Sequence, residues 1–292
     1  MSSGLDIRQF TTFANNQQEW SLDGYLGHWS PTSLAMLREC PREFQERYLK
    51  GRKKRPAESP LIGTAVHKGL ERNFRQKIET EIDLPTVDVV EWFDDEGFRD
   101  VVSSEQEHAG LEVEWDTSPE EAMTRGRKML GAYMNTVASR IQPVAVEGSF
   151  SVDMGLPVPI VGRYDLLRRE SAIDWKSSKQ KTTTPKTAWA IQAAVYSYAT
   201  ALPVEFHTLS CTLKEGKVSI VTPLESEALL LNPTATEIRA MQAMILAISD
   251  EASFYMRRFG PDQSWPTHGR FHMFACGYCS FRSDCPAWEH ER

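Results

Sequence analysis

The stretch Ile160-Val161-Gly162-Arg163-Tyr164-Asp165-Leu166-Leu167 is followed, after the polar turn Arg168 to Ser171, by Ala172-Ile173-Asp174-Trp175-Lys176. Both runs are rich in β-branched and apolar residues and read as adjacent strands of a hairpin. An Asp at the end of each run brings two carboxylates side by side. Neighbouring carboxylates repel, and both stay ionised cheaply only with a cation between them. Hard divalent ions such as magnesium or manganese prefer oxygen ligands and supply that cation. Lys176 lies two residues beyond Asp174, so on a strand the two side chains share a face. A carboxylate-held metal with an ammonium beside it can deprotonate a water and stabilise a charged transition state, which suits attack on a phosphodiester.

Two further patterns flank the hairpin. Gly63-Thr64-Ala65-Val66-His67 reads as the start of a helix, and Gln192-Ala193-Ala194-Val195-Tyr196 sets an amide and a phenol one helical turn apart on one face. Taken singly, each residue has an ordinary reading. His67 is then a packed or solvated imidazole, Lys176 a surface lysine, Gln192 a helix-surface amide and Tyr196 part of the core. In their order along the chain, G-x-x-x-H, D…D-x-K and Q-x-x-x-Y resemble the PD-(D/E)XK nuclease superfamily. More narrowly they resemble its RecB-like exonuclease branch, with its CRISPR-adaptation members and phage-encoded relatives.

The resemblance implies a restriction-endonuclease-like α/β (α+β) core around a central mixed sheet. It implies hydrolysis of DNA phosphodiesters by an exonuclease using Mg2+ or Mn2+. Asp165, Asp174, His67 and the main-chain carbonyl of Trp175 are then metal ligands, with Glu147 on the preceding strand as a further acidic member. Lys176 orients the attacking water, and Gln192 and Tyr196 line the site. The implied partner is DNA with single-stranded ends, together with a helicase or recombination partner, in recombination, repair or phage DNA metabolism. No G-x-x-x-x-G-K-[ST] motif is present, so unwinding falls to a partner.

Five cysteines stand at 40, 211, 276, 279 and 285. Cys276, Cys279 and Cys285 form C-x2-C-x5-C, and Cys40 lies far upstream. Such spacing points to a metal centre or a disulfide framework. A long chain with few cysteines and no secretory signal argues against disulfides. Four thiolates suit either tetrahedral zinc or a [4Fe–4S] cluster, and spacing leaves both open. The resemblance implies the iron–sulfur cluster, because members of that branch carry one cysteine upstream of the core and three downstream. Such a cluster would join the N- and C-terminal segments. Cys211, in an alternating run, reads as a small buried residue.

The chain has 292 residues and a net charge of −7, which argues against a generally basic nucleic-acid coat. No run approaches the roughly 20 apolar residues of a membrane span. The polar N-terminus lacks a signal-peptide layout, so a cytoplasmic place in a bacterial or phage-infected cell is expected. Two basic segments are candidate DNA contacts: Arg52, Lys53, Lys54 and Arg55, and the loop of Lys179 and Lys181. Ser33 reads as the N-cap of a short helix ending near Pro41, and Pro41 to Lys50 as a second helix stopped by Gly51. Residues 78–118 read as an acidic helical insertion with inward aromatics. Ser118 caps a helix from Pro119, with Glu121 three residues on. A strand over Pro143–Asp153, the hairpin, a helix near Thr187 to Ala201, a second hairpin and a long helix from Thr234 follow.

This gives an N-terminal segment (1–60), a helical region (61–142), a nuclease core (143–232) and a C-terminal helix with tail (233–292), in one compact unit. Two readings from other classes remain beside the exonuclease. They are a non-catalytic DNA-end-binding protein and a zinc-stabilised scaffold.

Overall fold

The computed structural model describes residues 21–212, 215–267, 276, 279–285 and 287. Near the N-terminus lie α1 (Pro31–Glu39), α2 (Pro41–Phe44, continued by a π-helical turn over Gln45–Leu49) and the long α3 (Glu58–Thr80). The acidic insertion is helical as expected, with α4 (Thr86–Trp92) and α5 (Phe98–Ala109), and Phe93 and Phe98 are buried beneath it. Then come α6 (Pro119–Thr136), β1 (Ala145–Val152), β2 (Ile160–Leu167), β3 (Ala172–Ser178) and α7 (Thr187–Thr200). The chain continues through β4 (Val204–Cys211), β5 (Val218–Val221), β6 (Leu230–Leu231) and α8 (Ala235–Phe259).

The strands form one mixed six-stranded sheet in the order β1-β2-β3-β4-β5, with β6 also on β4. β1, β2 and β3 are antiparallel neighbours, and β3 pairs with β4 in parallel. A parallel pair needs a crossover, and α7 supplies it. Every residue of β4 is buried, Cys211 included, as befits a strand covered on both faces.

Alternation along β3 sorts its side chains. Ile173 and Trp175 join the core built by α3 and α6. Ala172, one residue away, joins a separate core with Tyr196 of α7 and Phe206 of β4. The buried positions of α3 (Leu61, Ile62, Ala65, Val66, Leu70, Phe74) recur at the helical period and lay that helix on the sheet. Among the described residues, no helix is long and apolar enough to cross a membrane.

Two expectations need correction. The N-cap of α1 is Ser30, whose hydroxyl accepts from the Ser33 amide, while the Ser33 hydroxyl accepts from the Ser30 amide. Ser33 is the other half of a capping box, one turn inside, with Pro31 at the helix start. Helix α3 begins at Glu58, so Gly63 and His67 sit inside it rather than at its start. The Glu58 carboxylate explains the early start. It is buried and accepts from the amides of Asp116 and Thr117, and it pairs with Arg125 of α6.

Packing joins the segment around α2 to the residues that follow α8. The amide of buried Gln45 donates to the carbonyls of Pro261 and Gln263, both at 2.7 Å. Its oxygen accepts from the Trp265 amide at 3.0 Å. Phe44 stacks between Trp29 and Trp265, with ring centroids at 5.5 and 6.0 Å.

Candidate active site

The hairpin carries the site because its ladder stops at the aspartates. β2 and β3 pair through Leu167–Ala172 and Leu166–Ile173. The next positions are Asp165 and Asp174, where regular pairing ends. There the Asp165 carboxylate replaces a backbone acceptor, and Oδ2 accepts from the Trp175 amide at 2.7 Å. Its Oδ1 lies 3.5 Å from Nδ1 of His67.

Helix α3 brings His67 there through Gly63, one turn earlier on the same face. A Cβ at Gly63 would meet the Ser177 hydroxyl of β3, so glycine lets the helix settle this close without turning that hydroxyl aside. The imidazole meets the Trp175 indole edge-on, with centroids 5.5 Å apart.

Glu147 completes the group. In the β1–β2 register it falls opposite Asp165, yet that pair is skipped and the register resumes unchanged at Gly148–Tyr164. Its φ is +53°, a left-handed conformation that costs a non-glycine residue about 1–2 kcal/mol. The ligand atoms of His67, Glu147 and Asp165 lie within 4.8 Å of one another. Asp174 stands outside this triad, among the described residues, because other partners hold it.

Those partners come from α7 and from Asp174's own strand. Lys176 Nζ lies 2.6 Å from Asp174 Oδ2 as an ion pair that lacks hydrogen-bond geometry. The ammonium donates to Gln192 Oε1 at 2.8 Å, and the Gln192 amide donates in turn to Asp174 Oδ1. Gln192 also donates to the Tyr196 hydroxyl at 2.8 Å, which donates to the Arg163 carbonyl. Below the ammonium lie the rings of Trp189 and Phe206, with centroids at 5.8 and 5.7 Å. The sequence reading missed these two rings. Trp189 had a signal, being three residues before Gln192 on one helix face; Phe206 is beside Asp174 only through the β3–β4 register.

The electrostatics divide the carboxylates. Burial pushes Glu147 up to about 7, and the charges of Asp165 and Glu71 add to it. Burial likewise pushes Asp174 up to about 6, with Lys176 opposing and Asp165 adding. Asp165 goes the other way. Burial works to raise it, but His67, Lys176 and the Trp175 amide hold it below the usual carboxylate range. His67 is the complement: burial disfavours its charge, and Asp165 outweighs burial and raises it. Clustered carboxylates that resist ionising, one on a strained backbone, are a donor set that a hard divalent cation relieves.

The remaining candidates lie elsewhere. Arg52 is tied inward to Glu46 at 2.9 Å and to Asp284 at 2.6 Å, and it stacks on Phe281 at 5.1 Å. Lys53 Nζ is 3.0 Å from His108 Nε2, and Lys179 pairs with Asp116. Lys54, Arg55 and Lys181 are exposed. Cys40, Cys276, Cys279 and Cys285 are partly exposed thiols. Burial pushes Cys279 up to about 11, with Cys40 and Cys285 among the neighbours that add to it. Both therefore lie within its electrostatic reach, and Cys285 also lies within that of Cys276.

A family profile described as "PD-(D/E)XK nuclease superfamily" matches residues 28–286. The chain belongs to the PD-(D/E)XK nuclease superfamily, which implies metal-dependent nuclease chemistry on DNA. No curated protein matches the chain. Among solved structures, "Crystal structure of SSO0001" is similar at 12% identity, covering 88% of this chain and 96% of that one with a TM-score of 0.37.

Proposed function

We propose that the protein is a DNA exonuclease that uses Mg2+ or Mn2+, acting in recombination, repair or phage DNA metabolism beside a helicase or recombination partner. The observation that carries this reading is the convergence of His67, Glu147 and Asp165 beside the Asp174–Lys176–Gln192 group. His67, Glu147 and Asp165 would hold the ion, with Asp174 and the Trp175 carbonyl as adjoining oxygen donors. A bound divalent ion supplies Lewis-acid polarisation of the phosphate and a lowered pKa for water.

The chain's own residues supply orientation and charge. Lys176 keeps its ammonium at the mouth of Asp174 through Gln192 and the two rings, where it aligns a water and meets charge developing on the phosphate. Gln192 joins Lys176, Asp174 and Tyr196, so the donors keep one geometry. Tyr196 is pushed well above the usual phenol range by burial and by the nearby carboxylates, and acts as a neutral donor. Lys54, Arg55 and Lys181 are exposed basic residues that a DNA backbone can meet.

Cys40, Cys276, Cys279 and Cys285 are proposed to ligate a [4Fe–4S] cluster, zinc being the alternative. The cytoplasm of a bacterial or phage-infected cell is the proposed setting. Anaerobically purified protein should contain iron and show a cluster's broad visible absorbance; zinc without colour would overturn that assignment. With Mn2+, end-labelled linear DNA should be degraded while a covalently closed circle survives. Cutting of the circle would contradict the exonuclease reading, and failure on both would favour a DNA-end-binding protein or scaffold.

A further inference from the structure

A buried chain of polar groups runs away from the site on the side of the sheet opposite Asp174 and Lys176, and the chemistry above does not use it. The Trp175 indole Nε1–H donates to the Tyr133 hydroxyl of α6 at 3.0 Å. That hydroxyl lies 2.7 Å from His207 Nδ1 on β4, and His207 Nε2 lies 3.1 Å from Glu205 Oε2. Glu205 also accepts from Ser171 and from Arg168, in the turn between β2 and β3. All of these residues except Arg168 are buried.

The donors fix the direction of the chain. An indole only donates, and with burial favouring a neutral His207 whose N–H on Nε2 faces Glu205, the phenol accepts from Trp175 and donates to His207 Nδ1. His207 is then neutral, with its remaining N–H on Nε2 aimed at Glu205. Burial favours the neutral ring, holding His207 below the usual imidazole range against the pull of Glu205. Because an indole N–H is not a proton store, this is not a proton path into the site. An apolar set would have filled the same space without desolvating polar groups, so the chain's distinctive property is directional geometry.

That geometry converges on Trp175. Its ring stacks on Phe74 at 5.8 Å and meets His67 edge-on, and its amide donates to Asp165. One residue thus contacts two of the three groups proposed to hold the metal. We propose that Tyr133 and His207 are positioning residues that lock Trp175 and, through it, set His67 and Asp165 for metal binding. This rests on the nuclease reading of the site.

The test compares Mn2+ binding, read by paramagnetic resonance of the free ion, with the Mn2+ dependence of cleavage. Tyr133→Phe keeps the ring and deletes the hydroxyl. Loss of such an outer partner should weaken Mn2+ binding about tenfold or more, with cleavage recovering substantially at saturating Mn2+. His207→Ala should behave alike, and His207→Gln, which can accept at one end and donate at the other, should restore much of the affinity. Trp175→Phe removes the same bond from its other end, so adding Tyr133→Phe to it should cost little more.

A purely structural role would lower the melting temperature of Tyr133→Phe and leave its Mn2+ binding at the parental value, which would overturn the inference. Fully additive effects in the double variant would overturn it too. If Tyr133→Phe fails to fold, Trp175→Phe and the two His207 variants carry the same comparison. Should the parent bind no Mn2+ and cleave nothing, the reading of the site falls, and this inference with it. A parent that does both beside an unchanged Tyr133→Phe removes the positioning role alone.

Discussion

On one face of β3, Asp174 and Lys176 turn toward α7 and meet an amide, a phenol and two aromatic rings; on the other, Trp175 turns toward α3 and α6 and is fully packed. The first face holds a carboxylate pushed up to about 6 and an ammonium that is a quarter exposed. The second holds an indole 1% exposed, with its one polar hydrogen satisfied. Strand alternation puts these environments one residue apart. The reactive ammonium keeps partial solvation while Asp174 and Gln192 hold it in place. Its position is inherited from the packed face, where nothing has room to shift.

The comparison predicts different losses on the two sides. Lys176→Ala should cut cleavage by about 10^3-fold, with little change in melting temperature. Digestion of labelled DNA beside a thermal melt reads both, and an active Lys176→Ala would break the assignment. Trp175→Ala should act through the fold, costing on the order of 4 kcal/mol from the cavity left among Phe74, Tyr133 and His67. Denaturant unfolding checks it, and a variant as stable as the parent would mean that the packed face does not hold the strand.

A smaller effect follows from Glu205, which Arg168, Ser171 and His207 surround. Burial alone would raise its pKa, yet those partners lower it to about 2. A depressed folded value means stabilisation that is whole above the ordinary carboxylate pKa, about 4.3, and lost as pH falls through about 2. His207, held below its usual value by burial, works in the same direction over the range beneath about pH 6.5. Glu205→Gln should therefore cost about 3 kcal/mol at neutral pH, with a flatter stability profile under acid. Equal acid slopes in parent and variant would show that another carboxylate dominates.

Much of this contrast was legible in the residues themselves. The β2–β3 hairpin, the α7 crossover and the alternation that separates Asp174 from Trp175 all follow from local pattern. The pair Gln192 and Tyr196 needed only helical spacing to share a face. Ser30 was also legible, because Pro31 at the first helical position marks the cap before it, whereas Ser33 lies a turn inside. Glu147 was harder to weigh. Its place opposite Asp165 comes from the β1–β2 register, and its left-handed backbone is not written in any local composition.

Gln45 and Tyr133 carried no local signal at all. Gln45 has one local partner in Arg42, yet the three main-chain groups it binds lie more than two hundred residues along the chain. Tyr133 takes its meaning from one strand on which Trp175 rests and another that carries His207. Buried polar groups are assigned their partners by tertiary packing, so local periodicity shows that they are inside and not whom they meet.

The most direct test of the account is the anomalous scattering of manganese in crystals soaked with that ion. A peak is expected within ligand distance of His67, Glu147 and Asp165, next to Asp174 and beside the Lys176 ammonium. Occupied manganese elsewhere in the molecule, with those three side chains left turned toward one another and no ion among them, would contradict it.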